Sequence, residues 1–303
     1  MNEWENKKED DAPHDQPVGV DSQAAPYAAT ADARSRYEQT EPQEPARLGP
    51  VGRLTGTLFS PGDTFKDVDR KPTILAPLLI IILSVVAAGA FFEWWVSPNW
   101  DQIFRDMIKK SLAQRGQSMP EDQIDQQVAM QVMFAKTDFT TPAGILFAIA
   151  RPLFFWVFFC LIPAAIFALA LMLLDAQTTF KKILSVVTWS TAAVTLVSVL
   201  VLAAALMVQD RDSLRQLNPT DQGGLLPTNI GSFMSSDTPR FVRSIAGSFD
   251  IFAIWTLILF CIGFAAISRS RRMTAGKAAV AVFGLWFIWV LVKAAASMVF
   301  PGA

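Results

Sequence analysis

Residues 72–92 read PTILAPLLIIILSVVAAGAFF, a run without a charged side chain. A helix rises about 1.5 Å per residue, so about 20 apolar residues cross the roughly 30 Å hydrocarbon core of a bilayer. The run has that length, and it ends in Glu93-Trp94-Trp95, where the tryptophans are typical of a membrane interface. The stretch therefore predicts a membrane-spanning helix.

Four further segments repeat this pattern. Thr141 and Pro142 offer a cap and a first turn to a run that only Arg151 interrupts, so that helix is expected to begin before the membrane. The predicted fold class is all-α: a polytopic membrane protein of five transmembrane helices, with a disordered N-terminal tail and an outer helical hairpin. The predicted spans lie at about 72–95, 143–174, 183–208, 245–268 and 278–299.

The composition agrees with a membrane protein and excludes several chemistries. Apolar residues make up 52% of the chain and charged residues 17%. His14 is the only histidine, and Cys160 and Cys261 lie in separate apolar spans, so a histidine triad or a zinc-type cysteine pair cannot be built. No GxGxxG or Walker-type loop occurs, and the net charge of −1 gives no reason to expect nucleic-acid binding. We expect no enzyme, no metal site and no cofactor.

Residues 1–50 form a polar tail with eleven acids and five bases, a net charge of −6. Large apolar side chains are few, so the segment cannot bury enough surface to offset the entropy of ordering, and we expect disorder. It lacks the apolar region of a signal peptide, which favours a cytoplasmic N-terminus. The tail is interpreted as a tether or solubilising segment, or alternatively as a docking motif for a protein partner.

Residues 51–71 join this tail to the first span and carry two apolar patches flanked by bases. Ser60 and Pro61 are an N-cap and first-turn pair, which predicts a short helix from Pro61 to about Asp69. We interpret 51–71 as an amphipathic segment on the inner leaflet, or alternatively as an ordinary linker, and 72–303 as the membrane domain. The apolar patches consist of Leu54, Leu58 and Phe59, and of Phe65 and Val68.

A long polar loop, 96–141, follows the first span. Its two halves show helical spacing of apolar residues, which predicts a helical hairpin that packs on the spans. The residues expected to share a face are Phe104, Ile108 and Leu112 in the first half, and Ile124, Val128 and Val132 in the second.

The short loops indicate the orientation of the chain in the membrane. Lysine and arginine concentrate in cytoplasmic loops, and here they lie in the loops 175–182 and 268–277 and in the stretch before the first span. All three agree with an N-terminus in the cytoplasm and, after five spans, a C-terminus outside. The loops 96–141 and 209–243 then face outward.

Charged residues within spans are costly, and we treat them as candidate site residues. Counted from the cytoplasmic helix ends, Asp250 lies about 27 Å away and Lys293 about 24 Å away, because each residue adds about 1.5 Å. This shared depth predicts an intramembrane ion pair between them, either a structural clamp or a contact for a solute or lipid headgroup. Glu93 and Arg151 are expected as charges at the outer interface.

Several ordered runs of the chain resemble the Yip domain, named for Ypt/Rab-interacting proteins. FSPGDTFKDVDRKPTILAPLLI (59–80) is similar to its opening, FKKILSVVTWS (180–190) to its third-span entry, and PTNIG (227–231) with FDIFAIWTLILFCIGFAA (249–266) to its fourth span. In that fourth span the matching positions are Asp250, Phe252, Trp255 and Gly263. GKAAVAVFGLWFIWVLVK (276–293) resembles the fifth, and the likeness covers about 52–299.

The resemblance implies a five-helix integral membrane domain without known catalysis, in eukaryotic relatives associated with small GTPases and vesicle traffic. The long outer loop and acidic tail resemble bacterial members, which implies a bacterial cytoplasmic membrane. We expect a scaffold or adaptor that contacts membrane lipids and an unidentified protein partner through residues 1–70. The alternative is a transporter or lipid-handling protein that uses the outer charges. The oligomeric state does not follow from these patterns.

Overall fold

The computed structural model describes residues 47–96, 100–114, 118–135, 141–208, 226–235, 237–270 and 273–299. These ranges form helices and connecting turns, without a strand among them. The helices are α1 (Pro50–Phe59), α2 (Pro61–Arg70), α3 (Leu75–Val96), α4 (Trp100–Gln114), α5 (Glu121–Ala135), α6 (Pro142–Leu173), α7 (Phe180–Val208), α8 (Arg240–Ser248), α9 (Ile251–Ile267) and α10 (Ala275–Val299), with a 3₁₀ turn at Ile230–Phe233.

Four of these helices, α3, α6, α7 and α10, are long and apolar enough to cross a membrane. The apolar helix α9 has 17 residues, or about 25 Å at the usual helical rise, and is shorter than the other four. The predicted class, an all-α polytopic membrane protein, is confirmed.

Helix α7 lies at the centre of the bundle. It packs against α3, α6 and α9, and its first half also contacts α1 and α2. Every residue from 182 to 195 is buried, including Trp189, which is 0% exposed. Because its neighbours cover this segment on all sides, α7 can keep several hydroxyl side chains out of contact with lipid.

Helix α6 lies at the periphery and begins where the sequence predicted. Thr141 Oγ1 accepts a hydrogen bond from the amide of Gly144 at 3.1 Å, which caps the first turn. Many large apolar side chains of α6 are exposed, as expected of a face that meets lipid rather than water. They include Leu146, Phe147, Phe154, Phe155, Phe158, Ile162, Leu169 and Leu173.

The predicted fourth span, 245–268, is not one continuous helix. The chain breaks between α8, which ends at Ser248, and α9, which begins at Ile251. Asp250 stands at the break with extended backbone angles, φ −95° and ψ 139°, because its side chain caps the first amides of α9. The apolar pattern could not reveal this interruption, since α8 continues the same spacing.

The segment 51–71 holds two helices, of which the sequence predicted only α2. Phe65 and Val68 are 0% exposed and belong to the core with α7 and α9, so this patch lies inside the protein and not on the leaflet. In contrast, Phe59 at the end of α1 is 83% exposed. An amphipathic helix buries its apolar face against protein or lipid alike, and here α2 buries it against protein.

The predicted hairpin is confirmed as α4 and α5, which pack on each other and on the ends of α3 and α7. Ile108, Ile124, Val128 and Val132 are buried as expected. Lys109 Nζ binds Glu121 Oε1 at 2.8 Å, and this hydrogen bond is the main reason that the pKa of Glu121 lies below its usual value. The predicted disordered tail, 1–50, lies outside the described residues except for its last four.

Candidate functional site

A buried polar network joins α1, α2 and α7 at one end of the bundle. The Arg53 side chain is 3% exposed, and its Nε and Nη2 lie 2.9 and 2.8 Å from Asp67 Oδ2. Nη2 also donates to the Asp67 carbonyl at 3.1 Å, while Nη1 donates to the Lys71 carbonyl at 2.9 Å and to Thr73 Oγ1 at 2.8 Å. We call this group, which comprises Arg53, Asp67, Thr73, Ser185 and Trp189, the Arg53 cluster.

Thr73 connects the ion pair to the central helix. Its Oγ1 accepts from Trp189 Nε1 at 3.2 Å, and its carbonyl accepts from Ser185 Oγ at 3.2 Å. On the opposite side, Asp67 Oδ1 accepts from the amide of Arg47 at 2.6 Å. Buried charges are tolerated when they are paired and hydrogen-bonded, and the Arg53 cluster meets both conditions. It fixes α1 and α2 to the bundle end.

A second ion pair reinforces this attachment. Lys182 Nζ, at the start of α7, lies 2.5 Å from Asp69 Oδ1 of α2, and the two side chains are 11% and 25% exposed. Helix α2 thus carries two acids, two residues apart, that bind cations of two other helices. The sequence indicated Arg53 and Lys182 only as surface bases that report orientation.

The surroundings of Asp67 favour its ionised form. Burial by itself would raise the pKa of Asp67, but the amide of Arg47 and the guanidinium of Arg53 outweigh it, so the pKa lies below the usual value. In the unfolded chain the carboxyl returns to about 3.9. Its contribution to stability is therefore complete above that pH, and it is lost as the pH falls through the folded-state pKa.

We expect the lowered pKa of Asp67 to make the folded protein lose stability in acid. Thermal unfolding of the purified protein in neutral detergent is compared with that of Asp67→Asn from about pH 7 to about pH 3. The stability gap between the two proteins should stay constant near neutral pH and narrow below about pH 4. If the difference in stability between wild type and Asp67→Asn were the same at about pH 3 as at about pH 7, the lowered pKa of Asp67 would be contradicted.

The predicted site residue Asp250 caps α9. Its Oδ1 accepts hydrogen bonds from the amides of Phe252 at 2.9 Å and Ala253 at 3.1 Å, while its Oδ2 accepts from the hydroxyl of Thr228. Asp250 also pairs through its backbone with Asn229 in an isolated β-bridge. The carboxylate thus fastens the PTNIG segment to the start of α9.

The structure does not bring Asp250 and Lys293 together. Ion pairs within 4.0 Å among the described residues do not include this one, and Lys293 lies half-buried on α10. The intramembrane ion pair therefore stays a prediction. Of the predicted interface charges, Arg151 is exposed and is the tenth residue of α6. Glu93 lies in the last turn of α3.

Two substitutions separate capping from ion pairing at Asp250. Asparagine also caps helices, so Asp250→Asn should be tolerated, whereas Asp250→Ala should cost about 0.5–2 kcal/mol of stability. If the ion pair formed instead, Asn and Ala would be equally damaging, Lys293→Gln would match them, and exchanging the two charges would restore stability. Denaturant unfolding of these three single variants and of the charge exchange distinguishes the two cases.

The chemistry available at these positions is structural. Within the described ranges, no group of three or more His, Cys, Asp or Glu side chains is arranged to hold a metal ion. Cys160 and Cys261 are buried as free thiols. The four charges of α1, α2 and α7 named above bind one another, so what this end of the molecule offers is a rigid surface.

Comparisons with known proteins agree with this architecture. The family model of the Yip1 domain matches residues 55–296. The chain is similar to the membrane protein YknW of Bacillus subtilis (strain 168), with 24% identity over 238 residues that cover 78% of this chain and 88% of that protein. No solved structure matches. Because the family model spans α2 to α10 almost completely, the chain belongs to the Yip1 domain family of membrane proteins.

Proposed function

We propose that this protein is a non-catalytic membrane scaffold whose tail and first two helices contact other proteins and the lipid surface. The observation that carries the proposal is the Arg53 cluster. It binds α1 and α2 to the central helix through buried charges, and it holds the amide of Arg47, the first described residue of the tail. A tail that leaves the membrane domain from a fixed point suits an adaptor.

The exposed surface of α1 and α2 supports a contact with lipid in addition to the protein contact. Val51 and Phe59 are 74% and 83% exposed, and Lys66 is an exposed base close by in the sequence. Apolar side chains next to bases favour an interface with anionic headgroups. We propose that this end is cytoplasmic, as the distribution of lysine and arginine in the short loops suggests.

A second candidate function is transport or lipid handling. It is favoured by the hydroxyl groups inside α7, since Ser190, Thr191 and Thr195 are buried at membrane depth and the hydroxyl of Ser190 has no hydrogen-bond partner among the described residues. Thr188 instead donates to the carbonyl of Ser185 at 3.1 Å, which is the structural use of such groups. Loss of a transport phenotype in Ser190→Ala at unchanged membrane abundance would support this alternative.

The scaffold is tested by cross-linked co-purification from native membranes. The full chain is compared with a variant lacking residues 1–46, because deletion into α1 or α2 would remove core residues and confuse partner loss with unfolding. We expect a stoichiometric partner protein that is lost when the tail is deleted. It should return when the wild-type tail is restored, but not when a tail of the same composition in shuffled order is attached. Recovery of lipid alone from both forms would contradict the adaptor.

A further inference from the structure

Helix α6 has one charged side chain along its 32 residues, that of Arg151. None of the other residues of α6 is an acid, Ser, Thr, Asn, Gln or His. Arg151 is exposed, and its guanidinium forms neither a hydrogen bond nor an ion pair within the part of the chain that the structure describes. A charge on an otherwise apolar helix surface requires an anionic partner or water.

The length of α6 indicates the depth of Arg151 in the membrane. From Arg151 to Leu173, its last residue, the helix measures about 33 Å at the usual rise, slightly more than a hydrocarbon core of about 30 Å. A guanidinium inside the core is costly, so α6 is most stable with Arg151 at the edge of the core and residues 142–150 extending through the headgroup region. With the orientation proposed above, this edge belongs to the outer leaflet.

On the membrane side of Arg151, α6 presents two rows of phenylalanine rings. Phe154 and Phe158 contact each other along one row, with ring centroids 4.7 Å apart, and Phe155 and Phe159 stack along the next, with centroids 5.8 Å apart. The four side chains are between 47% and 69% exposed, so the bundle leaves both rows open. Phe154 and Phe155 lie about one turn after Arg151 and therefore share its side of the helix.

We propose that Arg151 and these phenylalanine rings bind one phospholipid of the outer leaflet. The planar guanidinium donates hydrogen bonds to the phosphate oxygens, a pairing that its geometry favours. The acyl chains then run from the phosphate towards the centre of the membrane, along the two rows of rings. The proposal goes beyond the scaffold function, because it requires no protein partner and uses α6, not α1 or α2.

The chemistry of this surface selects a phospholipid over other occupants. Free phosphate would pair with the charge of Arg151 but leave the rings without a contact. An apolar helix of another protein would cover the rings but leave the charge unpaired. A second copy of this chain, packed symmetrically through the same face, would bring two guanidinium groups together at one depth. A molecule that is anionic at one end and apolar along the rest satisfies both parts of the surface.

The phosphate contact is tested by lipid retention of the full-length protein in neutral detergent. Native mass spectrometry with dioleoylphosphatidylglycerol is run on wild type, Arg151→Gln and Arg240→Gln, the last being a control at an exposed arginine of α8. We expect one retained lipid in wild type, an affinity lower by about tenfold in Arg151→Gln, and no change in Arg240→Gln. Equal affinity of the two variants, or no retained lipid in wild type, would overturn the site.

The contact with the rings is tested on the same helix. The side chains of Phe154 and Leu173 are 69% and 76% exposed, so truncation of either leaves the core intact. Phe154→Ala should weaken lipid retention several-fold, because the ring covers part of an acyl chain, whereas Leu173→Ala at the far end of α6 should leave it unchanged. Identical lipid affinity of Phe154→Ala and wild type would contradict the proposal.

Two further ligands separate the lipid from its parts. Dioleoylglycerol has the same acyl chains without the phosphate and should be retained much more weakly; equal retention would mean that the guanidinium plays no part. Inorganic phosphate should not displace the lipid, and displacement would assign Arg151 to free phosphate instead. If Arg151 paired with Glu93, the predicted charge at the same interface, Glu93→Gln and Arg151→Gln would lower stability alike without a change in lipid retention, and the proposal would be wrong.

Discussion

Replacement of Arg53 by methionine should lower the free energy of unfolding by about 3–5 kcal/mol, the usual cost of breaking a buried ion pair by removing one member. Methionine keeps the length of the side chain, so little packing is lost. Asp67 would remain in the interior, 3% exposed, with its carboxylate held only by backbone amides. Thr73 would lose one of its two donors, and α1 would lose its polar link through Thr73 to α7.

The measurement is denaturant unfolding in detergent, with membrane abundance as the cellular readout. Lys66→Gln is the matched control, since Lys66 and Asp63 form an exposed pair at 3.0 Å that should be worth no more than about 1 kcal/mol. The double variant Arg53→Met/Asp67→Leu should recover much of the loss, because replacing both members leaves no buried charge. Equal effects of Arg53→Met and Lys66→Gln would mean that the cluster does not hold α1.

Hydropathy predicted the spans because burial in lipid requires long uncharged runs, and that requirement is local. The start of α6 was predicted as well, since Thr141 and Pro142 act within one turn of each other. The break in the helix before α9 was not predicted. Asp250 looked like a charge within a span, and only the position of Thr228, 22 residues earlier, shows that the carboxylate ends one segment and begins another.

The Arg53 cluster could not be predicted for a related reason. Arg53 and Asp67 are 14 residues apart on different helices, and Thr73 meets Trp189 across 116 residues. The apolar pattern of α2 did show which face is buried, but the same pattern suits a leaflet or a protein core. Asp67 beside that face was the available signal, since an acid next to buried apolar positions requires a partner.

The second large effect should come from Gly263, where three helices meet. A Cβ atom there would overlap Val186 Cγ1 of α7 and lie 3.3 Å from Phe65 Cδ2 of α2, and both of these side chains are 0% exposed. Neither can move without disturbing the core, so Gly263→Leu should destabilise the protein by about 3 kcal/mol or more, at the upper end of the range for overpacking. Thermal unfolding in detergent measures the loss.

Gly284 provides the control for this substitution. It is an exposed glycine within α10, and a Cβ added there meets nothing within 4 Å, so Gly284→Leu should be neutral or slightly stabilising through the better helix propensity of leucine. The milder Gly263→Ala should be partly rescued by Val186→Ala, since that change removes the overlapping methyl groups. If Gly263→Leu and Gly284→Leu behaved alike, α9 would not approach α7 and α2 this closely. The Arg53 cluster would then hold α2 without the core contact between Phe65 and α9.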